Sequence, residues 1–124
     1  MLYNVLVIKK IAQQKTYFKG DKNTMETPMG YKMQTTFVED FMIADRFGAS
    51  AVRDTYKRAF NDWKDNYVYL TELVIALNWG IWRAYEMGNH NLQEVYQELW
   101  EEADLYAQEN LKGEELTFFY SVTD

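Results

Sequence analysis

From Thr36 onward, apolar residues recur every three or four positions, the spacing that lines one face of an α-helix. Four such stretches follow one another, each bounded by polar or glycine punctuation. In the first, Phe37, Phe41, Ala44 and Phe47 share a face. Thr36 with Glu39 three residues on forms a capping box at its start, and Gly48 supplies a stop. The second begins near Ser50 as N-cap, with Asp54 in its first turn, and aligns Val52, Tyr56, Ala59, Phe60 and Trp63. Asp65 and Asn66 interrupt the pattern and predict a bend or short loop. The third, from about Tyr67 to Met87, is apolar nearly all round. Leu70, Leu73, Val74, Leu77, Ile81 and Ala84 form one stripe, with Ile75, Trp79 and Trp82 on its flank, which places this helix in the middle of a bundle. Gly88 ends it. Asn91 with Glu94 opens the fourth, whose buried face is Leu92, Val95, Leu99, Ala103, Tyr106 and Leu111. The segment KGEELTFFYSVTD adds a short turn that lays Phe118, Phe119 and Tyr120 on the bundle.

The chain before Thr36 reads differently. Leu2, Val5, Leu6, Ile8, Ile11 and Ala12 suit a helix, while LYNVLVI also suits a strand. Ile11 and Ala12 extend the helical period past the lysines and tip the reading of residues 2–14 toward helix. Residues 19–35 carry Gly20, Asp21, Asn23, Pro28 and Gly30 and read as a loop. Short connections between the later helices favour antiparallel neighbours. The expected fold is therefore all-α, an antiparallel bundle of four or five helices, with an irregular N-terminal segment that leaves a short strand pair open. One domain covers 1–124: a basic segment and loop over 1–35, a helical core over 36–112 and a tail over 113–124.

Charge sharpens this picture. The 124 residues carry a formal net charge of −6, unevenly spread. Up to Thr36 six lysines face Asp21 and Glu26, whereas from Glu86 onward ten carboxylates face Lys112 alone. The basic lead either packs near the acidic end of this chain or of a second copy, or the acidic end attracts a basic partner. A sequence pI of about 4.8 opposes direct nucleic-acid binding, although KTYFKG interleaves lysine with aromatics. No apolar run reaches the roughly 18–20 residues of a membrane span. The apolar-then-basic N-terminus reverses the order of a signal peptide, and there are no cysteines. Together these point to a cytoplasmic protein without membrane contact. Aromatic residues make up 17% of the chain, enough to fill a core and leave some for a partner surface.

The residue inventory favours binding over catalysis. His90 is the only histidine and sits between two asparagines at a helix start, where solvation is the simplest reading. One histidine cannot supply a histidine-containing di-iron site, and no phosphate loop or dinucleotide fingerprint is present. No metal or cofactor is expected. Glu94, Glu98, Glu101 and Glu102 lie on the outer face of the fourth helix as a carboxylate ridge, either a solvated face or a surface for a basic partner. Glu72 and Asn78 fall inside the most apolar helix. A buried carboxylate there needs a partner, with Arg83, Arg53 or Arg58 available. Otherwise Glu72 faces water, or the two polar groups line a cavity for a small ligand.

Three segments, TMETPMGYKMQTTF, DTYKRAFNDWKDNYVYLTELVIALNWGIWRAYE and LWEEADLYAQENLKGEELTFFYSVTD, resemble small proteins carried by conjugative transposons and prophages of Gram-positive bacteria. The likeness covers the chain from about Thr24 onward. It implies a bacterial cytoplasmic setting and an accessory role in a mobile element, and it transfers no site residues. Such elements often encode antirestriction proteins.

The expected function is that of a non-enzymatic accessory protein with a protein partner, open to self-association as a homo-oligomer. Its working surface is expected to be Glu94, Glu98, Glu101 and Glu102 together with Phe118, Phe119 and Tyr120. One alternative is an acidic DNA mimic that inhibits a restriction or other DNA-binding enzyme. Another is a small-ligand binder or enzyme using the surroundings of Glu72 and Asn78.

Overall fold

The computed structural model describes residues 36–123 in full, and the backbone of 24–26 and 32–34. Its elements run β1 (Thr24–Glu26), β2 (Lys32–Gln34), α1 (Thr36–Ala44), α2 (Ala49–Trp63), α3 (Tyr67–Glu86), α4 (His90–Asn110) and α5 (Glu114–Thr123). This is an all-α bundle with a short strand pair before it. The two strands are antiparallel, pairing Thr24 with Gln34, Met25 with Met33 and Glu26 with Lys32. The stretch 19–35, expected as loop, thus contains an antiparallel strand pair. The helix expected over 2–14 lies outside the described residues.

The all-round apolar α3 is the central element. It packs most extensively against α4 and also touches α1, α2 and α5. Each residue of its expected stripe, from Leu70 to Ala84, is buried. Its start is fixed by Asn66, whose side-chain oxygen accepts from the backbone N–H of Val68 (3.1 Å) and Tyr69 (3.2 Å). That capping satisfies two donors the first turn would otherwise leave open. At the other end Gly88 turns with φ +69°. The Asn89 N–H reaches back to the Ala84 carbonyl at 2.9 Å and the Gly88 N–H to that of Tyr85 at 3.0 Å, the two bonds of a Schellman stop.

Three expectations about helix ends need correction. The cap of α4 is Asn89, not Asn91: its side chain accepts from Leu92 N–H at 3.1 Å. The Schellman stop leaves one residue before the next helix, so α4 starts earlier than the Asn91–Glu94 spacing suggests. Ser50 does not cap α2, because that helix begins at Ala49 behind Gly48. Gly48 has φ +106°, a backbone region side chains avoid, and makes no side-chain cap bond. Phe47 does not join the buried face of α1. That helix ends at Ala44, and the turn after it leaves Phe47 77% exposed.

The C-terminal segment forms a full helix instead of a short turn. Gly113 enters with φ +61°. Glu114 and Glu115 stand in the first turn, where the helix dipole favours negative charge. Leu116, Phe119 and Val122 then face the core. Phe118 meets Tyr67 edge-on at 5.4 Å between ring centres, tying α5 to the start of α3.

Where α3 crosses α4, Gly80 faces the ring of Tyr96. A methyl group placed on Gly80 would lie 2.4 Å from that ring. Tyr96 is fully buried at 0% exposure and cannot swing aside. Alanine would raise helix propensity by about 1 kcal/mol, but overpacking a fixed core costs about 1–3 kcal/mol. Gly80→Ala is therefore expected to lower the urea midpoint, and a raised midpoint would show that the helices can part without loss.

Candidate functional site

Behind Gly80 lies a polar group with several partners. The Tyr96 hydroxyl sits between the Asp45 carboxylate, the Arg83 guanidinium (3.2 Å) and the Phe41 carbonyl (3.2 Å). It donates its one proton to Asp45 and accepts from Arg83, whose Nε also donates to Asp45 at 3.1 Å. The Asp45–Arg83 pair is largely sequestered, with 8% and 18% of the two side chains exposed. Phe41 closes the ring of contacts, its aromatic face edge-on to Tyr96 at 5.7 Å. Burial, together with the Asp45 carboxylate, pushes the Tyr96 hydroxyl far above its ordinary range against the opposing pull of Arg83. At neutral pH it is therefore the protonated donor to Asp45. The cluster fastens the turn after α1 to α3 and α4. Its role is to hold the bundle together.

Of the arginines considered as partners of Glu72, Arg83 pairs with Asp45 at 3.1 Å and Arg53 with Glu98 at 2.9 Å, while the charge of Arg58 acts on Asp40. Glu72 is buried on α3. It borders a recess of about 180 Å³ shared with Thr36, Phe37, Trp63 and Tyr69. Asn78 is buried as well, and its side-chain oxygen accepts no hydrogen bond. It does not line that recess.

The carboxylate ridge is present as an exposed face of α4. Glu94, Glu98, Glu101 and Glu102 are all exposed. Arg53 of α2 reaches Glu98, with both groups well solvated, so this pair adds little to stability. Gln97 donates to Glu101 at 3.4 Å. Glu102 lies beside the buried Tyr56 hydroxyl. Burial first, then this carboxylate, raises the Tyr56 hydroxyl well above its ordinary value, yet no hydrogen bond of ordinary geometry forms. The aromatic patch divides. Phe119 is a core residue at 1% exposure, Phe118 is half-buried against Tyr67, and Tyr120 is exposed and donates to Gln108 at 3.3 Å. Phe119 therefore belongs to the core and presents nothing to a partner. His90 is exposed at the first position of α4.

A feature the sequence did not single out lies between α1 and α2. One face of α1 and one face of α2 enclose an open groove of about 550 Å³. Phe37 and Ala44 form its apolar floor, and the small Ala51 and Ala59 keep it from filling. Ile43, Phe47 and Trp63 stand exposed along it. Asp40, Asp54, Asp62 and Arg58 supply its charges. Partial burial raises the Asp40 carboxyl above its usual range, Arg58 opposing this and Glu39 adding to it. The signal available in the sequence was Phe47 beside Gly48, an aromatic placed just where the helix must stop. Among the described residues no acidic, histidine or cysteine cluster has the makings of a metal site.

Two tyrosines of similar burial predict opposite outcomes. Tyr96→Phe removes a hydroxyl bonded to a largely buried ion pair and should cost about 1–3 kcal/mol. Tyr56→Phe removes a buried hydroxyl without a bond and should leave stability unchanged or raise it by up to about 1 kcal/mol. Chemical denaturation of both variants checks this, and equal losses would contradict it.

No protein-family model matches the chain, and neither a curated protein nor a solved structure matches it.

Proposed function

We propose that this chain is a non-enzymatic interaction protein that holds a basic protein partner, as an accessory of a bacterial mobile element. The observation that carries this reading is the outer face of α4. There Glu94, Glu98, Glu101 and Glu102 stand exposed on successive turns, and Arg53 reaches Glu98. Such a face raises the local concentration of cationic partners and speeds their encounter. Tyr120, next to Gln108 of the same helix, extends the surface with an exposed aromatic. The ligand-binding alternative is weaker, because the recess beside Glu72 is smaller than the roughly 300–1,000 Å³ of ordinary ligand pockets.

The acidic face also favours a second reading, a DNA mimic that occupies the basic cleft of a DNA-binding enzyme. Both readings lose affinity with salt, and only the mimic is displaced by duplex DNA.

Charge reversal of Glu94, Glu98, Glu101 and Glu102 to lysine is expected to abolish capture of the partner from a Gram-positive lysate while leaving helix content unchanged. Mass spectrometry of the captured proteins at low and high salt, with and without added DNA, separates the two readings. Retained capture by the folded variant would refute both.

A further inference from the structure

We propose that the groove between α1 and α2 seats an amphipathic, cationic helix of the partner protein. The inference rests on the reading of the chain as an interaction protein and assigns it a second surface, distinct from the acidic face of α4.

The shape argues for a helix. The lining residues of α2 run from Ala51 to Trp63, about 18 Å at 1.5 Å per residue, or a little over three helical turns. A floor of Phe37 and Ala44, with Ile43 and Phe47 standing proud at one end, suits apolar anchors spaced three and four residues apart, the pattern by which grooves recognise helices. Alanines at 51 and 59 leave the space such anchors need. Phe47 contributes nothing to the core, being 77% exposed on the turn after α1. Its exposed aromatic ring is therefore available for a partner.

The charges argue for a cationic occupant. Arg58 is near enough for its charge to act on Asp40, whereas Asp54 and Asp62 are exposed and have no ion-pair partner among the described residues. They lie two turns apart on one face of α2, so lysines or arginines flanking the anchors of a docked helix would meet one at each position. An anionic partner or nucleic acid would be repelled. A second copy is a poor fit through its helical surface, since from Phe37 onward this chain carries seven basic residues against seventeen acidic ones, and like charges oppose each other across an interface.

The test uses the full chain and a dye-labelled helix of leucine and lysine alone, about 18 residues long with leucines on one face. Binding is read by anisotropy at about 150 mM salt. The ordered peptide is expected to bind at least about tenfold more tightly than one of the same composition in shuffled order. Ile43→Ser with Phe47→Ser should weaken it by about tenfold or more without changing the circular dichroism spectrum. Asp54→Asn with Asp62→Asn should weaken it and flatten its salt dependence. Glutamine at 94, 98, 101 and 102 should leave it within about twofold. Equal binding of the shuffled peptide, no binding at all, or indifference to Ile43 and Phe47 would overturn the inference. So would light scattering that shows a dimer dissociated by the serine variant, which would give the groove to a second copy. Should peptide binding instead follow the α4 glutamates, the groove assignment falls and the acidic face stands. Should lysate capture survive charge reversal on α4 while the serine variant loses the peptide, the acidic face falls and the groove stands.

Discussion

The contact on which the rest of the bundle depends is the close approach of α3 and α4 at Gly80 and Tyr96. A glycine in a helix interior costs stability relative to alanine, and here the cost lets the Tyr96 ring occupy the space a side chain would take. Once Tyr96 is seated, its hydroxyl is carried to the one place where Asp45, Arg83 and the Phe41 carbonyl converge. The turn after α1 is thus fixed by a bond made on α4. The position of α1 relative to α2, and with it the groove between them, follows from that anchor. A large-to-small pairing in the core therefore sets the geometry of a surface several residues away.

The helices were legible in the sequence because their signals are local. A stripe from Leu70 to Ala84, glycine at 48 and 88, and an asparagine at 66 each act within one or two turns. The errors arose where two local signals overlapped. Asn89 and Asn91 are both plausible caps, and the choice depended on how the preceding helix stops, a matter of backbone turning at Gly88 and not of composition. Phe47 continues the apolar period of α1, yet the period says nothing about where the backbone leaves the helix. Tyr96 was missed for a further reason. It lies outside the Leu92–Val95–Leu99 stripe and is buried because of a glycine on another helix, a relation that no window along the chain contains.

The candidate surfaces divide along the same line. The carboxylates of α4 could be read directly, since exposed glutamates at helical spacing need no partner element to place them. The groove could not, because half of it depends on the small side chains at Ala51 and Ala59 and the other half belongs to a different helix. Phe119 shows the reverse case: one of three consecutive aromatics, it is drawn inward by a helix where a turn was expected. Among the described residues no helix is long and apolar enough to cross a membrane, and the apolar character of α3 is accounted for by its four helical neighbours.

Asn89 serves two helices at once. Its backbone N–H completes the stop of α3, and its side-chain oxygen opens α4. Neither end can fray without unsettling the other, so the hairpin of α3 and α4 behaves as one cooperative unit in which local unfolding at the junction must involve both. Its contacts are close in sequence, the kind that form early and fast. The acidic face of α4 is therefore carried on the part of the molecule best placed to form first, and α1, with its groove, docks onto a platform that already exists.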